Sequence, residues 1–169
     1  DDADPRPASR SRRPGRSGRS AAAVGAVLAG LSWLSPADAS VGEAARHVRE
    51  GVQHFQDGQY AEAAKRFAEA DVALPDNPRI AYDRACAAAA GKDLDKAVEL
   101  FQQAALARDE QVAAESHYNL GCVSAAKAKS LFGAQPEEAK PEVRQEGLQL
   151  LGQAVAHYRD CLRVRENHA

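Results

Sequence analysis

The sequence contains no run in which Val, Ile or Thr alternates with polar residues, so nothing in it argues for β-strands. Aromatic side chains are scarce, at 5% of residues, although 44% are hydrophobic. Alanine supplies the difference. It is the strongest helix former and small enough to let helices approach closely, so the expected class is all-α. Cysteine is sparse too: Cys86, Cys122 and Cys161 are odd in number and form no CxxC pair. A zinc or disulfide framework is therefore not expected, and isolated thiols are. There is also no Ser/His/Asp order, phosphate-binding glycine loop or close carboxylate pair in a catalytic context. The chain is expected not to be an enzyme, to have no catalytic residue and to use no cofactor.

Charge is weak overall but unevenly placed. Of a net −2, residues 1–39 hold six Arg against four Asp, which leaves 16 basic and 20 acidic residues for the rest. A mildly acidic body gives no electrostatic reason for nucleic-acid binding.

The first 39 residues read as an address. "RPASRSRRPGRSGRS" (6–20) contains all six Arg and no acid, and "AAAVGAVLAGLSWL" (21–34) follows as fourteen apolar or small residues. Then comes "SPADAS", in which Ala37-Asp38-Ala39 has the small-x-small pattern of a cleavage point after Ala39. Fourteen residues rise about 21 Å as a helix, short of a bilayer core of roughly 30 Å. A cleaved export signal is the first reading, a retained membrane anchor the second and a disordered basic tail the third. Arg12-Arg13 raises a twin-arginine signal, against which Pro14 and Gly15 stand. The chain starts with Asp1, not Met, which predicts a start further upstream. "SVGE" (40–43) reads as a capping box, with Ser40 at the N-terminus of a first helix over about 41–56.

Downstream, a pattern recurs at an offset of 34 residues. Gly51, Tyr60, Ala63, Phe67 and Ala70 correspond to Ala85, Leu94, Ala97, Phe101 and Ala104. Helices are expected over about 60–73, 79–90 and 94–107. Gly58 ends the first helix, Pro75 ends the second, Asn77 and Pro78 start the third, and Asp93 caps the fourth. A third copy begins at "HYNLG" (117–121) and returns as Ala154, Tyr158 and Cys161. Gly121 to Ala154 spans 33 residues where the earlier copies span twelve, an insertion of about 21. The inserted stretch is read as an extended first helix, a loop over about 133–140 and an early start to the second helix.

A 34-residue helix–turn–helix with a small residue, a Gly turn, Tyr, Ala, an aromatic, Ala and a terminal Pro resembles the tetratricopeptide repeat. "EGVQHFQDGQYAEAAKRFAEADVALPDNP" (50–78) matches well; the second unit has Ala85 for Gly and no Pro after its second helix. In the third unit "YNLG" fits, while Glu166 stands where Pro is common. The likeness covers about 44–169. It implies a right-handed solenoid of three units (about 44–77, 78–111 and 114–169) behind a signal-like segment, with 40–169 as the folded domain. A signal, few repeats and "YNLG" together are also similar to envelope repeat proteins encoded in bacterial aerotolerance operons.

That resemblance implies roles. Gly51, Ala85 and Gly121 would face Ala63, Ala97 and Ala154 where paired helices cross. Phe67, Phe101 and Tyr158 would fill the space between pairs. First helices would line a concave groove with Val48, Val52 and Phe55, then Tyr82, Cys86 and Ala89, then Tyr118, Cys122 and Ala125, with Arg79 and Glu115 at its edge. Relatives that grip a C-terminal carboxylate use Asn, Lys and Arg in the groove; Val, Cys and Ala stand here instead. The implied ligand is an apolar helix or extended segment of a protein partner. The implied activity is non-enzymatic scaffolding in the periplasm or cell envelope, with partial covering of the groove by adjacent chain as the plainer reading.

Other candidates are weighed against packing. His157 and Cys161 share a helix face at i, i+4, a metal-ligand spacing, but Cys161 also holds a small-residue packing position and no metal is expected. Cys86 and Cys122 would sit on neighbouring helices about 8–10 Å apart, too far for a disulfide. His47 and His54 are expected to face solvent. The last helix carries Leu148, Leu151, Val155, Tyr158 and Leu162 on one broad apolar face. It predicts either a chain continuing beyond Ala169 or docking of a second copy, the basis of the alternative function as a self-assembling architectural subunit.

Overall fold

The computed structural model describes residues 36–133 and 136–166, all within one compact unit, Leu34–Ala169. The signal-like stretch through residue 35 lies outside the described residues. Among the described residues there are six α-helices and no strand, so the protein is all-α. They are α1 (Pro36–Gln56), α2 (Tyr60–Ala73), α3 (Pro78–Ala90), α4 (Leu94–Ala104), α5 (Glu110–Phe132) and α6 (Pro141–Glu166). A short 3-10 turn, Pro136–Glu138, lies between the last two.

Local chemistry explains most boundaries. Gly58 adopts φ 74° and lets the chain leave α1. Asn77 caps α3, its side chain accepting from the backbone N–H of Arg79 and Ile80, with Pro78 in the first turn. Asp93 caps α4 by accepting from Lys96 N–H, and Asp109 caps α5 by accepting from Gln111 and Val112. Two expectations fail. Ser40 is not an N-cap: it lies inside α1, which among the described residues is helical from Pro36 onward. α4 stops at Ala104 instead of about 107, because Leu106 and Ala107 bond to the carbonyls of Gln103 and Ala104, a tighter turn than the α-helix.

Each helix packs mainly on its chain neighbours, most extensively within α1–α2, α3–α4 and α5–α6, and α3 also touches α5. The core is a series of small apolar clusters passed from one helix to the next. Ala63 and Phe67 of α2 meet Ala87 of α3, while Ala44, Ala70 and Ile80 join α1, α2 and α3. Ala85, Ala97, Leu100, Phe101, Leu120 and Val123 bind α3, α4 and α5 together. Ion pairs stitch the same contacts from outside: Arg84 with Asp71, and Lys127 with Asp95 at 2.6 Å.

Of the thirteen expected packing positions, only Tyr60 and Tyr158 are partly exposed; the other eleven are buried. The crossings differ in one detail from expectation. A Cβ built on Gly51 would lie 2.5 Å from the Phe67 ring, and one on Gly121 would strike Tyr158. The nearest neighbour of each glycine is thus an aromatic ring, four residues beyond the expected alanine. His47 also departs from expectation: it is buried, with Nδ1 3.0 Å from the Glu69 carboxylate, because α2 closes over that face of α1. His54 stays at the surface side of α1, bonded to Gln59. No helix among the described residues is long and apolar enough to cross a membrane.

Candidate functional site

A cleft grows from the N-terminal turns of α3 and α5. The Asn77 cap and Pro78 set the start of α3, which brings Arg79 over the Tyr82 ring one turn later, 5.2 Å from its centroid. From there Arg79 reaches Asp83 on its own helix and Glu115 on α5, both at 3.7 Å. Asp109 sets the start of α5, and Gln111 Nε2 donates to Glu115 one turn on at 2.9 Å. Tyr82 is held from two sides. Its ring meets Phe101 edge-on at 5.7 Å, and Asn119 Nδ2 donates to its hydroxyl at 3.1 Å.

Four of these groups, Tyr82, Gln111, Glu115 and Asn119, help to wall a cleft of about 770 Å³. Tyr82 comes from α3; Glu110, Gln111, Ala114, Glu115, Tyr118 and Asn119 come from α5; Cys161, Val164 and Arg165 come from the end of α6. Apolar atoms dominate its walls, and Tyr118 stands 55% exposed at the opening, its ring 5.7 Å from Tyr158. A volume in the range of about 300–1,000 Å³ with few placed polar groups fits a small molecule or one segment of chain. A smaller cleft of about 400 Å³ lies among α2, α3 and α4, walled by Tyr60, Arg84, Lys96 and alanines.

Burial governs the electrostatics here. It pushes the Tyr82 hydroxyl far above its ordinary range. It also raises the Asp83 carboxyl, with Arg79 opposing and Glu115 adding. The Cys86 thiol is pushed up to about 11, chiefly by burial, so it stays protonated and weakly nucleophilic near neutral pH.

The structure gathers only part of the groove expected from sequence. Tyr82, Glu115 and Tyr118 line the cleft; Arg79 is not among its walls but pairs with Glu115. Cys86 and Ala89 are half-buried against the α3–α4–α5 core. Cys122 and Ala125 are half-buried on α5, where the Tyr158 hydroxyl donates to Cys122 Sγ at 3.6 Å. The three cysteines are free thiols. The α1 members are not in the cleft: Val48 packs into the cores under α1, Phe55 stacks edge-on with Tyr60 at 5.3 Å, and Val52 is exposed.

Glu110, Gln111, Ala114, Asn119, Val164 and Arg165 were missed, and Cys161 was read only as packing. The α6 residues are carried into the cleft by the hairpin register, which has no sequence signal of its own. Gly121 meets Tyr158 and Gly147 meets Phe132, so the helices run antiparallel in one register. Two turns back along α5 and two forward along α6 bring Ala114 opposite Arg165.

No protein-family model matches the chain, and a search of curated proteins finds no match.

Proposed function

We propose that residues 40–169 form a right-handed, tetratricopeptide-like solenoid that acts as a non-enzymatic protein-interaction scaffold. Its ligand is an apolar helix or extended peptide seated in the concave groove, centred on the cleft between α3, α5 and α6. The basic and apolar leader, and the resemblance of leader, few repeats and "YNLG" together to envelope repeat proteins of aerotolerance operons, support a working site in the cell envelope. One observation carries the reading. Tyr82 and Tyr118, at equivalent positions in successive first helices, share the wall of an open, mainly apolar cleft. Aromatic side chains of that kind supply large contact area at low entropic cost and recur as binding hot spots.

The test is capture from a cell-envelope extract with the immobilised protein. Tyr82→Ala combined with Tyr118→Ala is expected to weaken capture of the bound protein on the order of tenfold or more. Helical content by circular dichroism checks that the variant is folded. Capture at the unaltered level by the folded variant would remove the groove from the account.

A second reading is favoured by α6, where Leu148, Leu151, Val155 and Leu162 are exposed at helical spacing. An architectural subunit would use that stripe to assemble with itself. Under it, the groove double variant keeps the wild-type sedimentation behaviour across dilution while capture is lost or was never present.

A further inference from the structure

Away from the apolar wall of the cleft, α5 and α6 bring three donor groups together. His117 on α5 lies beside His157 on α6, their rings nearly parallel at 28° with centroids 6.3 Å apart. Asp160 is one turn further along α6, and one donor atom from each of the three residues lies within 4.8 Å of the others. Sequence spacing had paired His157 with Cys161; the fold pairs it with a histidine forty residues earlier. A ring stack alone leaves one fact unexplained. Nδ1 of His117 and Nδ1 of His157 are both shut off from solvent and have no hydrogen-bond partner. Buried polar atoms without a partner are uncommon, and two in one contact point to a missing third party.

We propose that His117, His157 and Asp160 form a binding site for a divalent transition-metal ion of the zinc type. Two imidazoles and a carboxylate suit such borderline ions better than Ca²⁺ or Mg²⁺, which prefer all-oxygen shells. Three protein ligands leave the fourth tetrahedral position to water or to a ligand group. Ligand atoms around a tetrahedral zinc are about 3.3 Å apart, given bonds of roughly 2.0–2.1 Å. The three side chains therefore close inward on the ion by small rotamer changes. Arg163 Nη1 donates to Asp160 Oδ1 at 3.0 Å, an outer-shell contact of the kind that supports a metal-ligating carboxylate. Because the ligands come from two helices, the ion cross-links α5 to α6.

The full chain without an affinity tag is titrated with zinc chloride by calorimetry, and with cobalt(II) by visible absorption. One ion per chain is expected, with a cobalt spectrum of nitrogen and oxygen ligation lacking thiolate bands. His117→Gln and His157→Gln should each weaken zinc on the order of 100-fold, the upper end of what losing even an outer-shell partner costs. Asp160→Asn should weaken it about tenfold. His54→Gln should bind like wild type. If a glutamine variant does not fold, nitrogen NMR of the wild-type imidazoles decides: zinc should move the ring nitrogens of His117 and His157. The proposal is overturned by any of these results: no stoichiometric binding to wild type, folded His117 and His157 variants that bind as wild type does, unmoved ring nitrogens, or thiolate bands with cobalt.

Discussion

At Gly51 the hydrogen in place of a side chain is what admits Phe67, a ring only 2% exposed and unable to swing away. Ala at that position gains up to about 1 kcal/mol of helix propensity, yet overpacking a crossing costs about 1–3 kcal/mol. Gly51→Ala is therefore expected to destabilise by about 1 kcal/mol. Gly152 gives the contrast, since a Cβ there meets nothing within 4 Å and the residue lies inside α6. Gly152→Ala should stabilise by about 0.5–1 kcal/mol. Urea midpoints rising in the order Gly51→Ala, wild type, Gly152→Ala check both; a stabilising Gly51→Ala would mean the crossing is looser than the geometry requires. The sequence named Gly51 as a crossing residue but not its partner. A 34-residue offset marks which positions must be small, whereas facing residues depend on how two helices are staggered.

For the helices as units, the caps are the clearest link from sequence to structure. Asn77 bonds Arg79 N–H at 3.0 Å and Ile80 N–H at 3.3 Å, whereas Gln59, at the N-cap of α2, makes no side-chain cap bond. Asn77→Ala should cost about 1 kcal/mol and Gln59→Ala less than about 0.5 kcal/mol, measured by thermal or urea unfolding. Equal costs would show that α3 is positioned by packing alone. The bounds of α2 and α3 were legible because Gly58, Pro75, Asn77 and Pro78 act within a turn of where they stand. The helix around Ser40 was not, since Ser40 and Glu43 present a capping pattern inside a segment that is already helical from Pro36. Nor was the end of α4: Ala105 to Ala107 are good helix formers, and only backbone bonds three residues apart turn them out of the helix.

Across the whole molecule, stability rests on contacts handed from helix to helix. Phe101 belongs to α4 but packs with Ala85 of α3 and with Leu120 and Val123 of α5. Phe101→Ala should remove on the order of 3–5 kcal/mol, a large part of a typical domain's total of about 5–15 kcal/mol. Val72→Ala, at a residue 84% exposed, should shift the unfolding midpoint hardly at all. A small loss at Phe101 in urea unfolding would mean that the three helices are less interdependent than their shared core requires. The cleft is also a property of this scale. Tyr82, Glu115 and Tyr118 were readable from the repeat, but its third wall is the last turn of α6, carried there by a long hairpin.

The sequence by itself determined that the chain is helical, where most helices start and stop, and which positions have to be small. Those are consequences of propensity, turn chemistry and spacing, all acting over a few residues. Only the tertiary structure decided that α1 stays out of the cleft, that Arg165 and Val164 enter it, and that His117 meets His157 and Asp160. Each of these follows from the stagger between helices far apart in the chain, and side-chain packing sets that stagger with no local marker.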